Sequence, residues 1–180
     1  MRRSVIVYIF LLFLLVQTGW PQENRSINPS APDITTIIIV RHAEKDTVKT
    51  DPPLTPAGKE RAVLLAHMLR SSGITTIYAT QYIRTQQTVQ PIAESLHLTP
   101  QILTINPENI QEHITTLIRT ILREQSRKIV LIASHSNVIP LLLRKFGIEG
   151  EITIGDGEYD NLFIVTTRIG TKANLLRLRY

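Results

Sequence analysis

Four side chains in this sequence could handle a phosphate group together. Arg41 and His42 follow directly on the apolar run Ile37–Val40, Arg84 stands in the stretch YATQYIRTQQT, and His135 stands in IASHSNV. An arginine fork donates paired hydrogen bonds to phosphate oxygens and stays charged at every relevant pH. A neutral imidazole can attack phosphorus and carry it as a covalent intermediate. Cations beside the ring disfavour the imidazolium and so keep it nucleophilic. The same cations stabilise charge on the equatorial oxygens as the bond to phosphorus forms. A departing alkoxide needs a proton, so the chemistry also asks for an acid. Other chemistries are poorly served. The chain has no cysteine, hence no thiolate nucleophile or thiolate metal site. It has no HExxH spacing, and neither a metal nor a cofactor is expected.

The elements that must position these groups follow from periodicity and punctuation. The β-branched stretch 34–40, apolar throughout Ile37–Val40, predicts a strand buried on both faces. Thr55 and Pro56 predict an N-cap and first helical residue, with the helix running to about Ser71 and stopping at Gly73. A strand is predicted over Ile74–Ala79, and a helix from near Tyr82 to about Leu96, bent at Pro91. A strand over Thr99–Ile105 leads to a helix opened by Asn106 and Pro107, with Ile110, Ile114, Leu117, Ile118 and Ile121 at helical spacing. Then come a strand over Lys128–Ala133, a short helix over Val138–Phe146 closed by Gly147, and strands over Leu162–Thr167 and Leu175–Leu178. This alternation implies an α/β fold, a three-layer sandwich with a mostly parallel central sheet flanked by helices. Ligands of such sheets bind at the carboxyl ends of the strands. Arg41 and His42, Arg84, and His135 follow three different strands, so one rim would collect them. A helix N-terminus near Arg84 would add oriented N–H groups.

The stretches VRHAEK, LTPAGKERA, YATQYIRTQQTVQPIAESL and IASHSNVIPLLL resemble the histidine phosphatase superfamily, the phosphoglycerate mutase-like group. The likeness spans roughly residues 34–167. It implies a metal-independent phospho-enzyme, with His42 as nucleophile and Arg41, Arg84 and His135 as the phosphate pocket. The chain departs from the family pattern where Ala43 and Ser134 stand in place of glycine. Asn137, two positions past His135, has an amide suited to a phosphate oxygen or the backbone. The family often draws its acid from the segment after the second arginine's helix, which here offers Glu108. A carboxylate in the first turn of a helix is also favoured by the dipole alone. Glu44, on the nucleophile's loop, and Asp160 are the alternatives. The expected activity is phosphomonoester hydrolysis on a small phosphorylated substrate. A phosphoglycerate mutase-type phosphotransferase and a non-catalytic phosphate-binding module are the alternatives. The mutase ranks lower because short connections give little from which to build a water-excluding lid. His67, His97 and His113 read as ordinary surface or interface residues, and Lys45 and Lys49 as solvated loop charges.

The bulk numbers set the frame. The 180-residue chain is 43% hydrophobic, a globular composition sufficient for one domain, here residues 34–180. Arg2 and Arg3 precede an apolar run from Val5 to Val16, which Gln17–Trp20 turns polar again. This is the plan of a secretory signal peptide over 1–20, and it falls short of the ~20 apolar residues of a spanning helix. The expected location is therefore periplasmic or secreted, the alternative being a membrane tether over residues 5–20. In that alternative the leader is the only membrane contact. Residues 21–33, rich in Pro, Asn and Ser, read as a flexible spacer. Without the two leader arginines the net charge falls from +5 to +3, too mild and too scattered for a nucleic-acid surface.

Overall fold

The structure, a computed structural model, describes residues 33–47 and 50–180. The leader, nearly all of the spacer, and Lys49 lie outside the described residues. Six strands and four helices run in the order β1 (Thr35–Arg41), α1 (Pro56–Leu69), β2 (Ile74–Thr80), α2 (Ile83–Leu96), β3 (Gln101–Leu103), α3 (Ile110–Glu124), β4 (Ile129–Ser134), α4 (Ile139–Lys145), β5 (Asn161–Thr167) and β6 (Asn174–Arg179). Every element expected from the sequence is present. The third strand is shorter than the run from Thr99 to Ile105, because Pro100 offers no amide to the ladder. The helix expected to open at Pro107 begins instead as a 3-10 turn over Pro107–Asn109, which Asn106 caps through the Glu108 N–H.

The strand order is β3-β2-β4-β1-β5-β6. The three pairings on one side are parallel, while β5 runs antiparallel to β1 and β6 antiparallel to β5. Successive side chains of β1 point to opposite faces. Ile37 and Ile39 enter one hydrophobic cluster, which also takes Ile114, Leu117, Ile118 and Ile121 of α3 and Leu142 and Leu143 of α4. Ile38 and Val40 enter the other, which takes Leu65, Ala66 and Leu69 of α1 and Val89 and Ile92 of α2. Two helices on each face make the three layers. Ile37 and Ile39 have no exposed surface. Burial of this kind stabilises by about 1.5–3 kcal/mol per large aliphatic side chain and anchors the strand that ends at the histidine. The central position of β1 between β4 and β5 is what fixes its carboxyl end in the middle of the rim.

Candidate active site

Beyond β1, the backbone N–H of His42 donates to the Ser134 carbonyl at 2.9 Å, so the ends of β1 and β4 are locked together. One cavity at this rim, of about 330 Å³, is lined by Arg41, His42, Arg84, His135 and Asn137. The imidazole centroids of His42 and His135 lie 5.4 Å apart. Arg41, His42 and His135 are each less than a tenth exposed.

His42 is held in one tautomer. Its Nδ1 lies 2.8 Å from the Ala43 carbonyl oxygen, which can only accept, so Nδ1 carries the proton and Nε2 carries the lone pair. Burial is the main reason its pKa falls to about 4; the Ala43 bond opposes this, and Arg84, Arg41 and Lys45 add to the fall. The ring is therefore neutral at physiological pH. His135 is fixed by a chain of hydroxyls. Thr85 Oγ1 donates to the Tyr82 carbonyl at 2.8 Å, with the Thr80 carbonyl at 3.0 Å. Its only hydrogen is then used, so Thr80 Oγ1 donates to Thr85 across 2.8 Å. Thr80 must in turn accept from His135 Nε2 at 2.9 Å. The His135 Nδ1 lone pair consequently faces Arg84 Nη2, 3.5 Å away. Burial first, then Arg84, His42 and Arg41, pulls the His135 pKa down to about 3.

The arginines are braced differently. Arg41 Nη1 donates to the carbonyls of Gly155, Asp156 and Glu158 at 2.7, 2.9 and 3.2 Å, and its guanidinium lies over the Tyr159 ring. It thus ties the loop before β5 to the end of β1. Arg84 lies over Tyr82 and pairs with Asp51 at 3.3 Å. The open helix N-terminus expected beside Arg84 is taken: the Asp51 carboxylate accepts the Ile83 N–H at 3.1 and 3.2 Å. The Nε groups of Arg41 and Arg84 are both buried without an acceptor. Both arginines line the cavity, and a buried guanidinium donor left without a partner is costly.

The three carboxylates considered from sequence lie elsewhere. Glu44 receives two donors of Arg61, Nε at 2.9 Å and Nη2 at 2.7 Å. Burial raises its carboxyl pKa, but the Arg61 bonds outweigh this and hold it below the ordinary range. Asp160 pairs with Arg179 at 2.8 Å. Glu108 is exposed and does not line the cavity, although Pro107 and Ile110 on either side do. The carboxylate-bearing residue in the lining is Asp156, which sequence reasoning missed. Its signal was present but faint: it belongs to the Gly-rich segment GDGEYD, with no strand or helix to fix its direction. Lys45 and Tyr82 also line the cavity, so Lys45 is more than a solvated loop charge. Among the described residues, no group of three or more His, Asp or Glu side chains could hold a metal ion.

Neighbouring residues explain the motifs around the site. Thr55 caps α1 through the Gly58 N–H, and the Thr55 N–H donates to the Glu44 carbonyl at 2.9 Å. A Cβ on Gly58 would stand 2.2 Å from that carbonyl oxygen, so only glycine lets α1 dock there. Arg61, one turn on, holds the Glu44 carboxylate. From α2, Thr88 Oγ1 accepts the Ala43 N–H at 2.9 Å and Gln87 accepts the Leu54 N–H at 2.7 Å. The loop after His42 is thus clamped from two helices.

The chain has the phosphoglycerate mutase-like fold, and over part of its length it is similar to the histidine phosphatase superfamily. The family model of the histidine phosphatase superfamily (branch 1) matches residues 37–105, a stretch that holds Arg41, His42 and Arg84. His135 lies beyond that stretch and reaches the same cavity through the β1–β4 pairing. No curated protein matches the chain in sequence. Among solved structures, the chain is similar to the phosphoglycerate mutase from Bacillus anthracis, with a TM-score of 0.66 at 14% identity, covering 82% of this chain and 93% of that one. The protein histidine phosphatase SixA complexed with tungstate gives 0.64 at 19% identity, covering 80% and 96%. The phosphoserine phosphatase from Entamoeba histolytica in complex with 3-phosphoglyceric acid gives 0.60 at 17%, covering 81% and 97%. At these identities the likeness is one of fold.

Proposed function

We propose that the protein is a phosphomonoester hydrolase acting through a phosphohistidine on His42. The observation that carries this reading is a tautomer-fixed, neutral histidine beside two buried guanidinium Nε–H groups that have no protein acceptor. His42 Nε2 attacks phosphorus, the N–P bond forms and the P–O ester bond breaks. Its electron pair leaves on the alkoxide oxygen, which takes a proton. We assign that proton to Asp156, the carboxylate-bearing residue of the cavity lining, in place of Glu108. Water then attacks phosphorus, the N–P bond breaks, and the carboxylate recovers the proton. Arg41, Arg84, His135 and Asn137 hold the phosphoryl oxygens. That phosphatases and a phosphoglycerate mutase share the fold supports phosphoryl chemistry here.

A panel of phosphomonoesters assayed with wild type and His42→Ala tests the reading, together with an alkaline denaturing quench to trap base-stable, acid-labile phosphohistidine. Hydrolysis and trapping in wild type, both lost in His42→Ala, are expected. Phosphate binding with no turnover and no trapped intermediate would make the protein a binding module. Transfer between two hydroxyls faster than hydrolysis would make it a mutase. We propose further that the leader exports the protein; fractionation of cells expressing the full chain checks this.

A further inference from the structure

We infer that the preferred substrates are phosphomonoesters of apolar alcohols, whose chain lies in a second cavity adjoining the phosphate site. The inference rests on the phosphatase reading for the phosphate group and adds the identity of the leaving group. This cavity, of about 350 Å³, lies between the edge strand β3 and helix α3. Tyr78, Leu103, Leu117, Ile132 and Leu142 are among the residues that line it. Ile105 and Val138 line both this cavity and the catalytic one, so the two adjoin along a shared wall.

Two observations point to a ligand. Helix α3 is strongly amphipathic, with Ile114, Leu117, Ile118 and Ile121 buried, yet Ile114 and Leu117 still border open space. A well-packed core leaves few voids of this size. Ser134, next to His135 in sequence and 1% exposed, lines the same cavity, and its buried hydroxyl has no partner. A buried, unpaired hydroxyl is costly, and a substrate oxygen near the reacting phosphate would satisfy it. The cations are grouped differently: Arg41, Lys45 and Arg84 line the phosphate cavity, whereas the neighbouring one has no lysine or arginine and is lined mostly by aliphatic side chains and Tyr78, with Glu112 and His113 among its polar residues. A ligand spanning both is anionic at one end and apolar at the other.

Calorimetry with ethylphosphonate and n-hexylphosphonate, which cannot be hydrolysed, reads the inference without depending on turnover. Hexylphosphonate is expected to bind at least ~10-fold tighter, since four added methylenes leave water. Thr116→Trp, from the exposed rim of α3, and Thr104→Trp, from the opposite wall, fill the cavity without touching the core. Each should bring the two affinities within ~3-fold while leaving ethylphosphonate unchanged. The ratio of kcat/KM for hexyl over ethyl phosphate should follow the same pattern. Equal affinities in wild type, or a hexyl advantage that survives both tryptophans, would overturn the inference. If ethyl phosphate is still hydrolysed in that case, the phosphatase reading stands; if the hexyl advantage holds but nothing is hydrolysed, the phosphatase reading fails and the second cavity stands as a binding site for the apolar end of a phosphorylated ligand.

Discussion

A pair of adjacent residues, Arg41 and His42, divides its labour in a way their adjacency alone does not reveal. His42 faces the cavity with a fixed lone pair, while Arg41 spends Nη1 on three carbonyls of the loop that carries Asp156. The loop of the residue proposed as proton donor is therefore held by the residue next to His42. Asp156→Asn should lower kcat by about 10²-fold for alkyl phosphates, which need protonation of the leaving oxygen, and by under ~5-fold for p-nitrophenyl phosphate, which does not. Equal losses on both substrates would show that Asp156 acts otherwise. Thr80 is a positioning residue: it is fully buried and fixes His135 as the Nε2–H tautomer. Thr80→Val should cost about 10-fold or more in kcat, and Thr80→Ser should restore most of it. Nitrogen-15 spectra of the His135 ring would read the tautomer directly; an Nδ1–H form in wild type would refute the hydroxyl chain. His42, Arg41, Arg84 and His135 could be read from sequence because each follows a strand of unambiguous apolar character. The partners Asp51, Arg61 and Asp156 could not, because each sits in a loop or on a helix surface whose direction depends on packing.

At the scale of elements, the strands and helices were legible because apolar periodicity and Thr-Pro and Asn-Pro capping signals mark them. The direction of β5 was not. Its inward residues would suit either orientation, and only its pairing with β1, Ile39 opposite Phe163, decides it. The reason for LTPAGKERA was also partly hidden: the cap was readable, whereas the approach of the Glu44 carbonyl to Gly58 requires the two elements to be docked. That contact makes a sharp prediction. Gly58→Ala puts a Cβ 2.2 Å from a backbone oxygen, so either α1 or the nucleophile's loop must shift. The variant should lose about 1–3 kcal/mol of stability in urea denaturation. It should also lose activity by at least ~10-fold, because the same loop carries His42. Gly157, where a Cβ meets nothing within 4 Å, is the control, and Gly157→Ala should leave stability unchanged. Retained activity in Gly58→Ala would mean that the loop can yield without moving the nucleophile.

For the molecule as a whole, assembling a cationic pocket from three strand ends carries a cost that depends on pH. Two histidines are buried together, with pKa values drawn down to about 4 and about 3 from 6.5. In the unfolded chain both would take up protons near pH 6.5, whereas in the folded protein they stay neutral well below it. Between these limits the unfolded state binds more protons, so folding stability falls as pH falls. Each histidine contributes a slope of about 1.4 kcal/mol per pH unit once the unfolded chain is protonated. For His42 the total approaches about 3 kcal/mol. Glu44 has the same sign but a lower window: its depressed pKa supplies stability present above the ordinary carboxylate range and lost only as pH falls through its folded value. The interval from pH 7 to pH 5 therefore isolates the histidines. Wild type should lose about 2–4 kcal/mol across it in urea denaturation, and His42→Asn should lose about 2 kcal/mol less. A wild-type protein as stable at pH 5 as at pH 7 would mean that the two imidazoles charge freely in the folded state. That outcome would remove the electrostatic basis for a neutral nucleophile at this rim.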